Sequence, residues 1–568
     1  MIFLAEFRKR TWCALSLVLL LIICGIAPNA IAQEISSLPG PSDIQYKWHE
    51  QERIMFLCLD PCTWQGREYD NHSISLDRIN PEKLDTDQWC ETAKLWGAKE
   101  ILFVAKHTGG FCWWHTETTD YGIKDTPYKN GKGDVLKELS ESCKKYELNL
   151  GIYVYPGDET WGAGIGSGGQ TRDPAKQEAY NKVFRNQLEE TLANYGEVIE
   201  VWFDGSCVID VSDILEKYAK KSVIFQGPHA TLRWPGTESG KLFYPAWNTV
   251  KSEDFETGVS TQVHGDPDGD IWAPLETNTT LYDHYWFWSP KGEENRKTLE
   301  QLMECYYKSV GYGSVFLLNS TPDTSGLIPE ADRNLYKAFG DEIDRRFKKS
   351  IASIGNKQGR IVTLDLPETT KINHVISMED YRLGHRIREY KVEGLVNGNW
   401  KEICKGQSVG RKKIDYFDDL EVSKIRLIIT KETDTQLIRK LSVYYVEDFV
   451  APQQHGISPW SNWQDIHEFN TKENSEIEVE LTGKIKMPGQ FSVKIEPENE
   501  DAILKISNIE LIYDGHVVLD DFISVRKNKI NINRTAQVID ESKITLRFIL
   551  TSKTECKGKI QFKPALIY

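Results

Sequence analysis

The sequence lacks paired cysteines, an excess of positive charge and, beyond its amino-terminal segment, any long apolar run. Its eleven cysteines include no C-x-x-C pair, and Cys13 and Cys24 lie within the first 32 residues. The odd remainder indicates neither a disulfide framework nor a zinc site. The 69 Lys and Arg residues against 84 Asp and Glu residues give a net charge of −15. This balance argues against a nucleic-acid-binding or peripheral membrane protein.

The amino-terminal segment has the pattern of a secretory signal. Arg8, Lys9 and Arg10 precede the apolar run 12–26, and an A-x-A motif ends at Ala32. We predict that residues 1–32 are a signal peptide, cleaved after Ala32, and that the mature protein is periplasmic or secreted. An uncleaved anchor helix is the alternative. No later segment is predicted to cross a membrane.

Residues 45–345 alternate short β-branched or aromatic runs with longer amphipathic stretches. Strand–helix alternation over this length predicts an α/β fold, a closed (β/α)8-type barrel rather than an open sheet. Not all eight strands are recognisable, because residues 227–290 are rich in loop signals. The predicted strands are Ile54–Leu59, Glu100–Lys106, Asn149–Tyr155, Val198–Asp204, Ser222–Gln226 and Ser314–Leu318.

Beyond residue 346 the pattern changes to short alternating strands separated by Gly, Asn and Asp turns. This pattern is typical of antiparallel sandwiches. We predict two C-terminal β-sandwich domains at residues 350–448 and 457–568, joined by a linker that begins near Ala451.

Carboxyl groups in an aromatic setting are the candidate catalytic residues. Asp204 ends an apolar strand and precedes Gly205, and a barrel places its active site at the carboxyl ends of its strands. Hydrolysis of a glycoside needs a second carboxyl group as proton donor. Glu238, near Trp234, and Glu276, ahead of the aromatic run 285–288, are the candidates. A purely structural role is the alternative for each of the three: a strand-end cap for Asp204 and a solvent-exposed loop residue for Glu238 and for Glu276.

Several motifs in one order along residues 48–345 resemble the retaining α-L-fucosidases of glycoside hydrolase family 29. The branch that acts on α-1,3/1,4-fucosyl linkages is the most similar. The motifs include Leu84–Trp89, Lys106–His107, Gly110–Cys112, Trp202–Gly205 and Leu317–Asn319.

This resemblance implies double displacement with Asp204 as nucleophile and Glu238 as acid/base, the latter within an Arg-Trp-x-Gly-x-Glu-x-Gly setting. Glu276 is the fallback acid/base. The reaction implied needs no metal and no organic cofactor, and its partner is an oligosaccharide or glycoconjugate. The predicted substrate-binding residues are Glu68, Tyr69, His107, Trp114, Trp202, Arg233 and Trp272.

The sequence departs from the family at positions that contact the sugar. Cys58 stands at the first-strand His, and Thr108 and Gly109 stand at a His and an Asp. Loss of a matched partner for a buried hydroxyl costs about 1–3 kcal/mol. We therefore expect the chemistry to persist, in a secreted exo-glycosidase that hydrolyses α-L-fucosyl or closely related α-L-glycosidic linkages, and the glycone itself stays open between L-fucose, a substituted fucose and L-galactose. A non-catalytic glycan-binding protein on the same fold is the alternative.

The β domain at residues 350–448 also resembles a discoidin-like (F5/8 type C) module, for example at Ile376–Asp380. Such modules either bind glycans or support the catalytic domain, and both roles remain open from the sequence.

Overall fold

The computed structural model describes most of the chain after the amino-terminal segment. The described residues are 38–252, 255, 265–283, 285–452, 464–482, 491–499, 502–513, 516–518, 523–526, 528–532 and 543–563. The predicted signal peptide, residues 1–32, lies outside them. Within these ranges no helix combines the length and the apolar character needed to span a bilayer.

Seven parallel strands form a curled sheet in the order β5-β4-β3-β2-β1-β9-β8. The six strands predicted from the sequence are confirmed, each within two residues at either end. The seventh, β8, has the polar sequence E-T-N-T but is fully buried. The strands are Arg53–Leu57 (β1), Glu100–Lys106 (β2), Asn149–Val154 (β3), Val198–Trp202 (β4), Val223–Phe225 (β5), Glu276–Thr279 (β8) and Val315–Ser320 (β9).

Helices alternate with these strands and cover the outside of the sheet. Aspartates recognisable in the sequence cap two of them: Asp85 accepts hydrogen bonds from two first-turn amides, and Asp134 accepts one from the amide of Lys137. The helices are Asp43–His49, Pro61–Gln65, Thr86–Leu95, Val135–Tyr146, Gln177–Asn194, Ser212–Tyr218, Pro290–Glu293, Leu299–Lys308 and Glu330–Phe347.

An irregular segment closes the sheet between β5 and β8. The amides of residues 231 and 232 donate to the Ile224 carbonyl oxygen at 2.9 and 3.2 Å. The Arg233 amide donates to Pro274, and the Glu276 amide donates back to Arg233 at 3.0 Å. The barrel is therefore completed by loop backbone, which explains why the sequence between residues 227 and 290 lacks strand signals.

Two antiparallel sheets follow the barrel. The first has the order β10-β15-β11-β14-β12-β13, and the second has the order β19-β18-β22-β17-β21-β20 with β16 paired to β22. A small hairpin, Thr249–Val250 (β6) with Ile271–Trp272 (β7), precedes them. The strands of the two antiparallel sheets are Ala352–Gln358 (β10), Ile361–Glu379 (β11), Ile387–Val396 (β12), Asn399–Gly406 (β13), Lys413–Glu432 (β14), Leu437–Tyr444 (β15), Gln464–Glu480 (β16), Phe491–Pro497 (β17), Leu504–Tyr513 (β18), His516–Val518 (β19), Ile523–Arg526 (β20), Lys529–Ile532 (β21) and Ile544–Lys563 (β22).

The first antiparallel sheet packs against the amino end of the barrel. Glu50 and Glu52, just before β1, form ion pairs with Arg439 at 2.9 Å and Arg411 at 2.7 Å. The Tyr381 hydroxyl also donates to Glu50 at 2.7 Å. This sheet thus buttresses the end of the barrel opposite the carboxyl ends of its strands.

Candidate active site

Asp204 lies at the carboxyl end of β4 and is half-buried. The hydroxyl of Tyr153, at the carboxyl end of β3, donates to Asp204 Oδ2 at 3.1 Å. Gly205 continues the chain with a φ of 75°, a left-handed conformation that glycine adopts without a Cβ clash. A tight turn and a neighbouring phenol therefore hold this carboxylate at the mouth of the barrel.

Trp286 connects two further carboxyl groups at the same mouth. Its indole Nε1 donates to Glu238 Oε2 at 3.2 Å, and its backbone amide donates to Glu68 Oε2 at 2.9 Å. Glu238 is near the carboxyl end of β8, because a β-bridge joins Ser239 to Thr279. Trp286 therefore contacts both Glu238, the predicted acid/base, and Glu68, a predicted substrate-binding residue.

A series of ring contacts links these carboxyl groups to Asp204. The His107 ring is nearly parallel to Tyr69, with centroids 6.2 Å apart, and is 4.9 Å from the Phe287 ring. On its other side His107 is 6.0 Å from Tyr153, the residue that donates to Asp204. Tyr69 is 36% exposed, so the outer end of this aromatic wall faces solvent.

Cys58 lies among the carboxyl groups of the mouth. Burial is the main reason that the pKa of its thiol is raised well above the usual value, and the charges of Glu68 and Asp204 raise it further. The thiol therefore occupies the sugar-binding end of the barrel, at the position where the family resemblance places a histidine.

Glu68 is poised to carry a proton near neutral pH. Burial raises its pKa to about 7, and the negative charge of Glu238 adds to the increase, although the Trp286 amide favours the ionised form. Raised carboxyl pKa values are typical of catalytic proton donors. Glu68 is therefore a second candidate donor beside Glu238.

Glu276 does not lie at this mouth. It is the first residue of β8, is fully buried, and is paired in register with Val315, the first residue of β9. The carboxylate of Glu200, inside the barrel, is close enough to raise its pKa. The structure thus places the fallback acid/base toward the amino end of the barrel, away from Asp204.

Two predicted substrate-binding tryptophans pack inside the catalytic domain instead. The Trp202 ring stacks on Phe225 at 3.7 Å and donates from Nε1 to Glu200 at 2.9 Å, which places it in the barrel interior. Trp114 is fully buried and donates from Nε1 to Glu190, on the helix Gln177–Asn194, at 2.9 Å. Trp202 forms the floor beneath the mouth, and Trp114 anchors an outer helix.

Arg233 and Trp272 lie toward the amino end of the barrel, opposite the mouth. The Trp272 ring stacks on His385 at 5.0 Å and on Tyr381 at 5.8 Å, both in the connection between β11 and β12 of the first antiparallel sheet. Arg233 is fully buried and donates to the Trp247 carbonyl oxygen. Burial also lowers the pKa of its guanidinium to about 9. Trp272 therefore joins the barrel to the following β domain, whereas Arg233 holds loop backbone inside the catalytic domain. Their predicted roles in substrate binding stay predictions.

Sequence reasoning gave no role to three residues that build the mouth. Tyr153 lies in the predicted strand Asn149–Tyr155, and Trp286 and Phe287 lie in the aromatic run 285–288. In the sequence this run is adjacent to Glu276 alone among the candidate carboxyl groups. The sequence signal for a role at the mouth is a run of aromatic residues after a loop-rich interval. This signal does not identify the partners of the run, because Glu68 and Glu238 are distant from it in sequence.

A curled parallel sheet with carboxyl groups and stacked rings at the carboxyl ends of its strands defines a barrel-type glycoside hydrolase. Comparison with known proteins makes this class specific. An α-L-fucosidase family model matches residues 44–345. Alpha-L-fucosidase 1 of Arabidopsis thaliana is 28% identical over 456 residues, which are 72% of this chain and 88% of that protein.

Solved structures agree with this match. A candidate α-L-fucosidase from Bacteroides thetaiotaomicron is 33% identical with a TM-score of 0.67, covering 72% of this chain and 100% of that one. A glycoside hydrolase 29 family member from an unknown rumen bacterium is 26% identical with a TM-score of 0.66, covering 92% of this chain and 96% of that one. The chain belongs to the α-L-fucosidase family, and it is a glycosidase that acts on fucosyl linkages.

Proposed function

We propose that the protein is a retaining exo-glycosidase that releases α-L-fucosyl or closely related α-L-glycosyl residues from oligosaccharides. One observation supports this above the others. Asp204, held by Tyr153 at 3.1 Å, shares the mouth of the barrel with Glu238, which Trp286 holds at 3.2 Å. A nucleophile and a proton donor at one mouth are the requirements of double displacement.

In the first step Asp204 attacks the anomeric carbon while Glu238 protonates the glycosidic oxygen. The bond to the aglycone breaks and a glycosyl ester of Asp204 forms. In the second step the Glu238 carboxylate takes a proton from water, and the resulting hydroxide equivalent displaces Asp204 at the anomeric carbon. The Tyr153 hydroxyl orients Asp204 throughout, and the product keeps the α configuration.

The glycone range is proposed to extend beyond L-fucose at the position beside Cys58. A thiol is a weaker donor than imidazole and leaves more space, which favours L-galactose or a substituted fucose. Gly109 adds no such space, because a Cβ there would be 2.1 Å from Asp70 Oδ2. Asp70 is buried, and its carboxylate accepts a hydrogen bond from the Tyr121 hydroxyl at 2.7 Å. This carboxylate occupies the space that a side chain at position 109, where the family has an aspartate, would need.

A panel of α-1,2-, α-1,3- and α-1,4-fucosyl and α-L-galactosyl oligosaccharides tests the activity, linkage and glycone together. We expect monosaccharide release from α-1,3/1,4-linked members, abolished by Asp204→Asn and unchanged by the control Asp77→Asn, at an exposed position. Binding of the panel without release would favour the alternative, a non-catalytic glycan-binding protein.

Azide identifies the acid/base. Because azide attacks the glycosyl-enzyme without needing a base, it rescues a variant that lacks the acid/base and gives an α-glycosyl azide. We expect this product from Glu238→Ala on a substrate with a good leaving group. The same product from Glu68→Ala alone would transfer the role to Glu68.

Export is part of the proposal. The basic residues, apolar run and A-x-A motif within residues 1–32 support cleavage after Ala32. The intact mass of the protein from a periplasmic or culture fraction tests this, with Gln33 expected as its first residue. A mass that includes residues 1–32 would indicate the uncleaved anchor instead.

A further inference from the structure

Three buried side chains of different chemistry, those of Asp60, Cys62 and His107, meet at the inner end of the aromatic wall. Asp60 and Cys62 are 0% exposed and His107 is 8% exposed. One potential ligand atom from each lies within 4.8 Å of the others. Asp60 caps the short helix Pro61–Gln65, Cys62 is its second residue, and His107 follows β2. Two separate loops therefore build the cluster, which no cysteine spacing in the sequence predicts.

The geometry of the cluster is close to that of a tetrahedral metal site. His107 Nδ1 is 3.9 Å from Asp60 Oδ2. Nitrogen and oxygen ligands about 2.1 Å from a zinc ion lie about 3.4 Å apart in a tetrahedron, so this pair must close by about 0.5 Å and no pair of the cluster by more than about 1.4 Å. Asp60 Oδ1 is buried with no hydrogen-bond partner. An orphaned buried carboxylate oxygen calls for an explanation, and a cation supplies one.

The electrostatic surroundings favour a cation as well. In the part of the chain that the structure describes, no lysine or arginine forms an ion pair with Asp60, and the nearby Asp70 adds a second negative charge. A neutral imidazole keeps a lone pair on one ring nitrogen for coordination, and the Nδ1 atom of His107 faces Asp60 Oδ2 at 3.9 Å. Thiol, imidazole and carboxylate together form a ligand set that zinc accepts.

We propose that Asp60, Cys62 and His107 bind a thiophilic divalent cation of the Zn²⁺ type and that its binding inhibits the enzyme reversibly. On binding, the Cys62 S–H bond breaks, its proton passes to solvent and the sulfur coordinates the cation. The cation draws His107 away from the sugar-facing wall, so the inhibition half of this inference rests on the proposed function.

Cobalt substitution tests binding without any need for turnover. Metal-free protein titrated with Co²⁺ is expected to bind one ion per chain and to develop a thiolate-to-cobalt charge-transfer absorption. Cys62→Ala should abolish that absorption, and Asp60→Asn, which keeps a helix cap, should weaken binding tenfold or more. Cys90→Ala, a buried cysteine elsewhere in the barrel, is the matched control. No saturable absorption, or one that survives Cys62→Ala, would overturn the site.

A second arm measures hydrolysis with added Zn²⁺. Wild-type and Cys90→Ala activity should fall and return with a chelator, whereas Cys62→Ala should stay active at the same Zn²⁺ concentration. Equal inhibition of both variants would overturn the regulatory half. A cobalt band in a protein that hydrolyses none of the glycans would support the site while refuting the proposed function, so the two failures are distinguishable.

Discussion

Replacement of Glu276 by Gln distinguishes a structural carboxyl group from a catalytic one. Glu276 shares the barrel interior with Glu200, and both are fully buried. Glu200 accepts hydrogen bonds from Trp48 Nε1 at 2.7 Å and Trp202 Nε1 at 2.9 Å, which favour its ionised form. Burial and then the charge of Glu200 raise the pKa of Glu276 well above its usual value. Glu276 therefore keeps its proton to a higher pH than a solvent-exposed glutamate does.

The protonated state makes stability depend on pH in a defined direction. In the unfolded chain a glutamate has a pKa of about 4.3. Because the folded pKa of Glu276 is higher, its contribution to stability is complete below the unfolded pKa and is lost as pH rises through the folded pKa. One group removes about 1.4 kcal/mol of unfolding free energy per pH unit in that interval.

Glutamine has the shape of the protonated acid and does not titrate. Glu276→Gln should therefore flatten the fall of unfolding free energy by about 1.4 kcal/mol per pH unit, from the unfolded pKa up to the raised folded pKa. Chemical denaturation at several pH values measures the slope, with Glu141→Gln, whose side chain is 70% exposed, as the control. Turnover should stay within about twofold of wild type, because the residue is remote from Asp204. Parallel slopes, or lost turnover in a folded variant, would refute this reasoning.

Three further substitutions test the mouth and its support. Trp286→Phe keeps an aromatic ring but removes the 3.2 Å hydrogen bond from the indole to Glu238. Because the Glu238 carboxylate is exposed, kcat on oligosaccharides should fall only about threefold to tenfold, with KM unchanged. Glu68→Gln should remove an ionisation near pH 7 from the kcat/KM profile, because burial places the Glu68 pKa at about 7; an unchanged profile would contradict it. Lys106→Met leaves Asp158, 3.2 Å away in a buried ion pair, without its partner; the unfolding free energy should fall by about 3–5 kcal/mol, and a loss below about 1 kcal/mol would contradict it.

Strands with a clear composition could be predicted, and one without it could not. Six of the seven barrel strands are β-branched or aromatic runs, and their local pattern located them. The strand β8, Glu276–Thr279, is polar throughout, and its burial depends on neighbours from both sides of the barrel. The position of a polar strand in a core is set by those tertiary contacts, which the local sequence does not encode.

The same distinction separates the site residues. Asp204 follows a recognisable strand, so its place at the carboxyl end was predictable from the direction of the chain. Glu276 looked equivalent because it lies near aromatic residues in the sequence. Once β8 is placed, that glutamate is its first residue and lies at the other end.

The sequence by itself determined the barrel class, the family and the carboxylate at the end of β4, because strand direction and contiguous motifs are local properties. Only the tertiary structure decided which aromatic residues line the mouth and which fasten the domains. Trp286 joins Glu68 and Glu238, whereas Trp272 packs on His385. Tryptophan favours all such settings equally, since its ring is apolar and its N–H needs one partner, so its role depends on what the fold brings within reach.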